Sequence, residues 1–237
     1  MAETDVLAGA TIAFDLDGTL VDTAPDLIAT LNVLLGDEGL APLAMDEARP
    51  FIGRGAAWLI ERGFTAAGAP LPAERAPVLF ERFIAHYLGH IADGSRPFPG
   101  MVAALEGLRA AGAKLVVCTN KRTDLSVALL DALDLTRLFE AVVGPDRAPA
   151  PKPDGRHLET AVTLAGGDIG RAVMVGDAAT DAGAARASGA GLVLVSFGYT
   201  EIPAAELAPD VLIHHYDELA DACRRALGAC PHRPAGL

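Results

Sequence analysis

Two aspartates stand one residue apart in AFDLDGTLVD, residues 13–22, at the end of the apolar run GATIAF. Residues two apart in a strand face the same side, so Asp15 and Asp17 can present their carboxylates together. A carboxylate carried into an apolar interior is costly unless it is paired or holds a metal. The chemistry available to such a pair is that of a cation site, served by a divalent ion, a lysine, or both. An Asp pair after a strand is also a common turn or helix cap, so the rest of the chain has to decide. Three further pieces bear on it. Thr119-Asn120 follows the run KLVVCT, Lys152-Pro153 lies in a proline-rich loop, and Gly176-Asp177 ends the run AVMVGD with Asp181 four residues on.

These pieces need strands to carry them. Short apolar, β-branched runs recur at TIAFDL (11–16), KLVVCT (114–119), FEAVVG (139–144), AVMVGD (172–177), GLVLVS (191–196) and DVLI (210–213). Helix-like stretches such as MVAALEGLRAAG and TDLSVALLDALDL lie between most of them. Continuous apolar strands alternating with helices predict a parallel sheet covered on both faces. Active groups of such a sheet lie beyond the carboxyl ends of its strands, where Asp15, Asp17, Thr119 and Asp177 all fall. From about Asp22 to about Pro99 only helical patterns occur: APDLIATLNVLLGDEG, GAAWLIERGFTAAG and ERAPVLFERFIAHYLGHIADG. The expected fold is therefore α/β, with an all-helical insert directly after the first strand that overhangs the strand ends like a lid.

The 237 residues suit one sizeable domain or a core with a smaller insert, and the 51% apolar content can form a real core. The net charge of −12 argues against non-specific nucleic-acid binding. No apolar run reaches the length of a membrane helix. The N-terminus lacks the basic and apolar regions of a secretory signal, so a cytoplasmic protein is expected. Cys118, Cys223 and Cys230 fit no zinc pattern; Cys118, in an apolar run, reads as a buried small hydrophobe. The tail GACPHRPAGL (228–237) has the composition of a frayed end.

DLDGTLVD, CTN, KP and GDAATD, in that order and each after a strand or in a loop between strands, resemble the motifs of the haloacid dehalogenase superfamily of phosphotransferases. The resemblance covers nearly the whole chain and implies a Rossmann-like α/β core of residues 1–21 and 100–237 with a helical cap at 22–99. It implies that Asp15 is a nucleophile forming an aspartyl-phosphate, and that Asp17 is general acid and then base. It implies that Thr119, Lys152, Asn120 through its backbone N–H, and the turn at Gly18 meet the phosphoryl group. Asp15, Asp177 and the backbone carbonyl of Asp17 would hold Mg²⁺, with Asp181 orienting its surroundings. Without the ion, four carboxylates would face Lys152 alone. One departure is visible: KPDG stands where the family often has a second proline.

Other residues leave two readings open. Asp177 and Asp181 could be an acidic helix N-terminus. Lys152 taken alone would be a surface lysine. Lys121 faces either substrate or solvent, and Arg54, between Gly53 and Gly55, either reads the leaving group or is solvated. Trp58 reads as packing within the lid, and His86 and His90 as a solvated helix face. FDLDGTLVDT, FIGRG, RPFPG, CTNK and SFGYT are most similar to phosphoglycolate phosphatases. That implies a small phosphorylated metabolite as substrate, best 2-phosphoglycolate, and an enzyme working as a monomer or homodimer with no nucleic-acid or membrane partner. The alternatives on the same scaffold are a β-phosphoglucomutase-like phosphosugar mutase, or a phosphatase for a sugar phosphate, pyrophosphate or nucleotide. Dehalogenase chemistry would not need Asp17, and phosphonatase chemistry would need a lid lysine that residues 22–99 lack.

Overall fold

The computed structural model of the chain describes residues 5–229; Cys230 and most of the tail read as frayed lie outside them. Six strands form one parallel sheet: β1 (Thr11–Phe14), β4 (Lys114–Cys118), β5 (Ala141–Val143), β6 (Ala172–Gly176), β7 (Gly191–Val195) and β8 (Val211–Ile213). Their order is β5-β4-β1-β6-β7-β8, with every neighbouring pair parallel. Phe14 registers with Val117 on one side and Val175 on the other. The chain order reverses across β1, so the ends of β1, β4 and β6 flank the crevice where such sheets bind ligands.

Alternation along the strands divides the core. Ile12, Phe14, Val117 and Val175 face one buried cluster, shared with α5 (Met101–Ala110) and α9 (Leu219–Ala229). Ala13, Val116, Cys118 and Met174 face the other, with α7 (Gly155–Leu164) and α8 (Ala179–Ser188). Both faces are covered, which is why the strands read as unbroken apolar runs. Another helix, α6 (Thr123–Ala132), follows β4.

Between β1 and β4 the chain forms α1 (Ala24–Asp37), α2 (Met45–Ala48), α3 (Ala56–Ala66) and α4 (Ala76–Gly89). Helix α1 opens with a proline in its first turn, where a missing N–H costs nothing. Its buried Leu27, Ile28, Leu31, Leu34 and Leu35 follow helical spacing along one face. They pack with Leu59, Phe64 and Phe83 into a separate cluster. The sequence predicts no strand in this region, whereas the structure has a two-residue antiparallel ribbon at its ends. In it, β2 (Val21–Asp22) pairs with β3 (Arg96–Pro97). Two residues, one of them proline, are too few to show a period. Buried Asp26 of α1 fastens the return crossing by accepting from Gly94 N–H, Ser95 N–H and Ser95 Oγ at 2.7, 2.7 and 2.6 Å.

Candidate active site

The strand ends bring four of the predicted residues into one buried cluster. Asp15 follows β1, Asp177 follows β6, and Asp181 lies in the first turn of α8. Carboxylate oxygens of these three lie within 4.8 Å of one another. Lys152 reaches them from the loop before α7. Its Nζ is 2.6 Å from Asp181 Oδ1 and 3.0 Å from Asp15 Oδ1. Asp181 Oδ2 accepts the N–H groups of Asp177 and Ala178 at 3.1 and 3.0 Å, so both its oxygens are held by protein. Thr19 Oγ donates to Asp177 Oδ1 at 2.9 Å, and Tyr199 N–H to Oδ2 at 2.6 Å.

The cluster is short of positive charge. Burial pushes the Asp15 carboxyl up to about 6; Lys152 pulls it down, while Asp181 and Asp17 push it further up. Burial, then Asp181 and Asp15, raise Asp177 well above the usual carboxylate range. Burial alone would lower the Lys152 ammonium, but Asp15 and Asp181 more than offset that and hold it above its ordinary value. Asp15 Oδ1 is buried and has the Lys152 ammonium 3.0 Å away as its ion-pair partner, without a hydrogen bond of regular geometry. Three buried carboxylates whose oxygens lie this close, with one lysine among them, are a set of hard oxygen donors with excess negative charge that fits a small divalent cation of the Mg²⁺ type. The Asp17 side chain stands apart from this group.

Asp17 turns instead to Lys121, whose Nζ lies 3.0 and 3.3 Å from its two oxygens. The same Nζ donates to Tyr87 Oη of α4 at 2.9 Å and sits 4.4 Å from that ring's centroid. Lys121 is thus neither solvated nor turned freely to a substrate. It is a second buried cation, so the four carboxylates do not face Lys152 alone. Asp17, Lys121 and Tyr87 line a cavity of about 210 Å³ between the strand ends and the helices. Thr119 lines it as well. Gly53, Arg54 and Gly55 border it too, and both glycines have positive φ, 104° and 92°. The Arg54 guanidinium lies 4.1 Å from the Trp58 ring centroid, exposed and stacked rather than paired with an acid. Trp58 is half-buried.

Gly18 has φ +84°, and a Cβ there would lie 2.7 Å from Asp177 Oδ2. Its N–H donates to Val21 O at 2.9 Å, so its part in the site is the close turn rather than a free donor. The Asn120 side chain brackets the Lys152 backbone. Its Oδ1 accepts Lys152 N–H at 2.9 Å, and its Nδ2 donates to Lys152 O at 3.1 Å. Burial pushes the Cys118 thiol up to about 12, which removes it as a nucleophile at neutral pH.

His157 supports the same loop. Its Nδ1 accepts Lys152 N–H at 3.2 Å, and its Nε2 donates to Val143 O at 3.1 Å. Burial, then the Lys152 charge, pushes this imidazole from 6.5 down to about 4. Neutral in the fold, it takes up a proton more readily in the unfolded chain. Its contribution is therefore present above pH 6.5 and lost as the pH falls towards 4, by about 3 kcal/mol. Urea unfolding at pH 7 and pH 4.5 should show His157→Gln less stable than the wild type at pH 7, with the gap closing at pH 4.5. Equal slopes for the two proteins would refute this.

Four contributors have no role in the sequence reading: Thr19, Tyr87, His157 and Tyr199, of which Thr19 and Tyr199 stand within the quoted DLDGTLVD and SFGYT. Thr19 stands within the DGT motif, and its contact with Asp177 follows once β1 and β6 are neighbours. Tyr87 and His157 lie on helices where spacing alone marks them as packing residues.

The chain is similar to known proteins in sequence and in fold. A family model described as haloacid dehalogenase-like hydrolase matches residues 12–195. The phosphoglycolate phosphatase of Caulobacter vibrioides is 59% identical over 231 residues, covering 98% of each chain. That of Agrobacterium fabrum is 44% identical, covering 88% of this chain and 90% of its own. Among solved structures, a predicted phosphoglycolate phosphatase of Haemophilus somnus superposes with a TM-score of 0.84 at 29% identity, covering 91% of this chain and 97% of that one. CbbY of Rhodobacter sphaeroides, solved with phosphate, superposes with a TM-score of 0.75 at 22% identity, covering 89% and 96%; at that identity it supports the fold alone.

Proposed function

The chain belongs to the haloacid dehalogenase-like hydrolase family, and from that premise we propose that it is a Mg²⁺-dependent phosphatase of 2-phosphoglycolate working through an aspartyl-phosphate. The observation that carries this reading is the buried Asp15–Lys152–Asp181 array beside Asp177. Asp15 attacks phosphorus, forming an O–P bond as the ester O–P bond breaks. Lys152 holds the nucleophile in place and offsets the charge that gathers on the phosphoryl oxygens. Thr119 Oγ and the backbone N–H of Asn120 donate to those oxygens, and Gly18 makes the turn that lets them approach. Asp17 gives a proton to the leaving oxygen and later takes one from the water that cleaves the acyl phosphate. To do so it exchanges Lys121 for the reacting oxygen. Bound through Asp15, Asp177 and the Asp17 carbonyl, with Asp181 ordering its surroundings, Mg²⁺ would supply the charge neutralisation that admits a phosphate dianion.

Residues 22–99 act as the cap in this reading, with residues 1–21 and 100–237 as the catalytic core. Arg54, carried at the cavity wall between the positive-φ Gly53 and Gly55, meets the substrate carboxylate by leaving Trp58. Lys121 adds positive charge on the same side. The substrate is a small cytoplasmic metabolite, and neither nucleic acid nor a membrane takes part. Among the described residues no helix is long and apolar enough to cross a membrane.

Phosphate release from 2-phosphoglycolate, pyrophosphate, glucose 1-phosphate, glucose 6-phosphate and a nucleoside monophosphate tests the assignment. Phosphoglycolate should lead in kcat/KM by about a hundredfold, or ~2.7 kcal/mol. Arg54→Ala should raise KM for phosphoglycolate about tenfold or more while barely changing that for glucose 1-phosphate. A flat profile removes the substrate and leaves the phosphatase. Net conversion of glucose 1-phosphate to glucose 6-phosphate would favour the mutase.

A further inference from the structure

Tyr199 touches both ends of the machinery. It sits in the loop after β7, yet its buried ring packs into the α1–α4 cluster rather than against the sheet. Its backbone N–H donates to Asp177 Oδ2 at 2.6 Å. A Cβ at Gly18 would lie 2.8 Å from Tyr199 Cδ2, so the bare glycine is what lets the ring lie against the β1 turn. At the far end, the hydroxyl donates to Asp22 Oδ1 of β2. It also accepts the N–H of Ala24, the first residue of α1, at 3.1 Å. Arg49 closes the arrangement, with its guanidinium 5.4 Å from the ring centroid and 3.9 Å from Asp22 Oδ2.

We propose that Tyr199 is a positioning residue that couples cation binding at Asp177 to the junction between the sheet and the helical insert. The inference rests on the reading that Mg²⁺ binds beside Asp177. Thr19 and Tyr199 N–H each hold one Asp177 oxygen, so a shift of that carboxylate on cation loading is passed to the 196–200 loop. The tyrosine side chain has few rotatable bonds and is buried against the α1–α4 cluster, so it carries the shift to Asp22 and Ala24. The hydroxyl–carboxylate bond there is charge-assisted and stronger than a neutral one. Coupling of this kind is reciprocal: loosening the junction must weaken cation binding by the same factor that binding tightens the junction.

Tyr199→Phe removes the hydroxyl and keeps both the ring and the backbone N–H. Asp22→Asn alters the far end without touching Asp177. The test is Mg²⁺ titration by calorimetry, paired with hydrogen exchange of peptides spanning residues 22–30, on substrate-free wild type and both variants. In the wild type, Mg²⁺ should slow exchange in that segment about fivefold or more. Tyr199→Phe should bind Mg²⁺ about fivefold more weakly and lose the Mg²⁺-dependent slowing, with Asp22→Asn changing in the same direction. Tyr199→Phe with wild-type affinity and wild-type slowing would overturn the inference. So would a wild type that binds Mg²⁺ with no change in exchange at residues 22–30. Should Tyr199→Phe fail to fold, Asp22→Asn decides by the same two readings. A wild type that binds no Mg²⁺ at all removes the metal reading itself, and this inference with it.

Discussion

Asp15→Asn is expected to lower phosphate release about 10⁴-fold or more, with KM changed far less. The amide is close in shape to the carboxylate but is not a nucleophile towards phosphorus, and no other carboxylate takes its place. Asp181 is bound on both oxygens by Lys152 and two backbone N–H groups, and Asp17 is turned to Lys121. The same variant should gain stability where no divalent ion is present. Asp15 is a buried acid pushed up to about 6 chiefly by desolvation, so at pH 7.5 its charge is carried at a cost that the amide avoids. In EDTA, Asp15→Asn should melt above the wild type, and added Mg²⁺ should narrow the gap. Activity above about one hundredth of wild type would move the nucleophile elsewhere. A lower melting temperature in EDTA would mean that the cluster is not under electrostatic load.

The second large effect is expected at Lys152. Its side chain is fully buried, and its ammonium neutralises two carboxylates at once, 2.6 and 3.0 Å away. Lys152→Met keeps the apolar stem and deletes the charge, leaving Asp15 and Asp181 beside Asp177 with no cation. Removing one partner of a buried ion pair typically costs about 3–5 kcal/mol. For a chain of this size that corresponds to a fall of roughly 10 °C in melting temperature. Part of the loss should return with Mg²⁺, because the ion offsets the same charges, while turnover should not return. Thermal melts with and without Mg²⁺, beside phosphate release, check both halves. An unchanged melting temperature would show that the carboxylates are balanced by something other than Lys152.

How far the chain could be read before folding follows from which interactions leave a periodic trace. Strands buried on both faces must be apolar throughout, so all six were visible as runs; FEAVVG shortened only to Ala141–Val143. Once β1, β4 and β6 are neighbours, Asp15, Thr119 and Asp177 have to meet, because each follows its strand directly. Lys121 was ambiguous because its partners come from elsewhere. Asp17 is distant in sequence, and Tyr87 is one of a Phe80, Phe83, Tyr87 series whose spacing describes any packed helix. No local pattern says that Tyr87 alone aims its hydroxyl at a lysine. His157 was silent for a similar reason: its value lies in the backbone N–H of Lys152 that it accepts, and backbone partners have no sequence signature. For Arg54 the sequence leaves substrate contact and solvation both open, because its stacking on Trp58 depends on a rotamer that composition does not encode.

The β2–β3 ribbon has a consequence for how such a protein can be altered. The helical segment leaves the sheet at Val21–Asp22 and returns at Arg96–Pro97, and these residues pair side by side. Topologically, more than seventy residues are a single loop whose two ends already touch. A loop of that kind can be lengthened, shortened or exchanged for another without re-threading a strand of the sheet. In the proposed reading, Asp15, Asp17, Thr119 and Lys152, which would make and break the phosphorus–oxygen bond, lie outside the segment that the ribbon closes, and Arg54, which would meet the leaving group, lies within it. Selectivity and chemistry are thereby free to diverge at different rates, and a graft joined at these two positions is the natural unit for giving this sheet a new substrate.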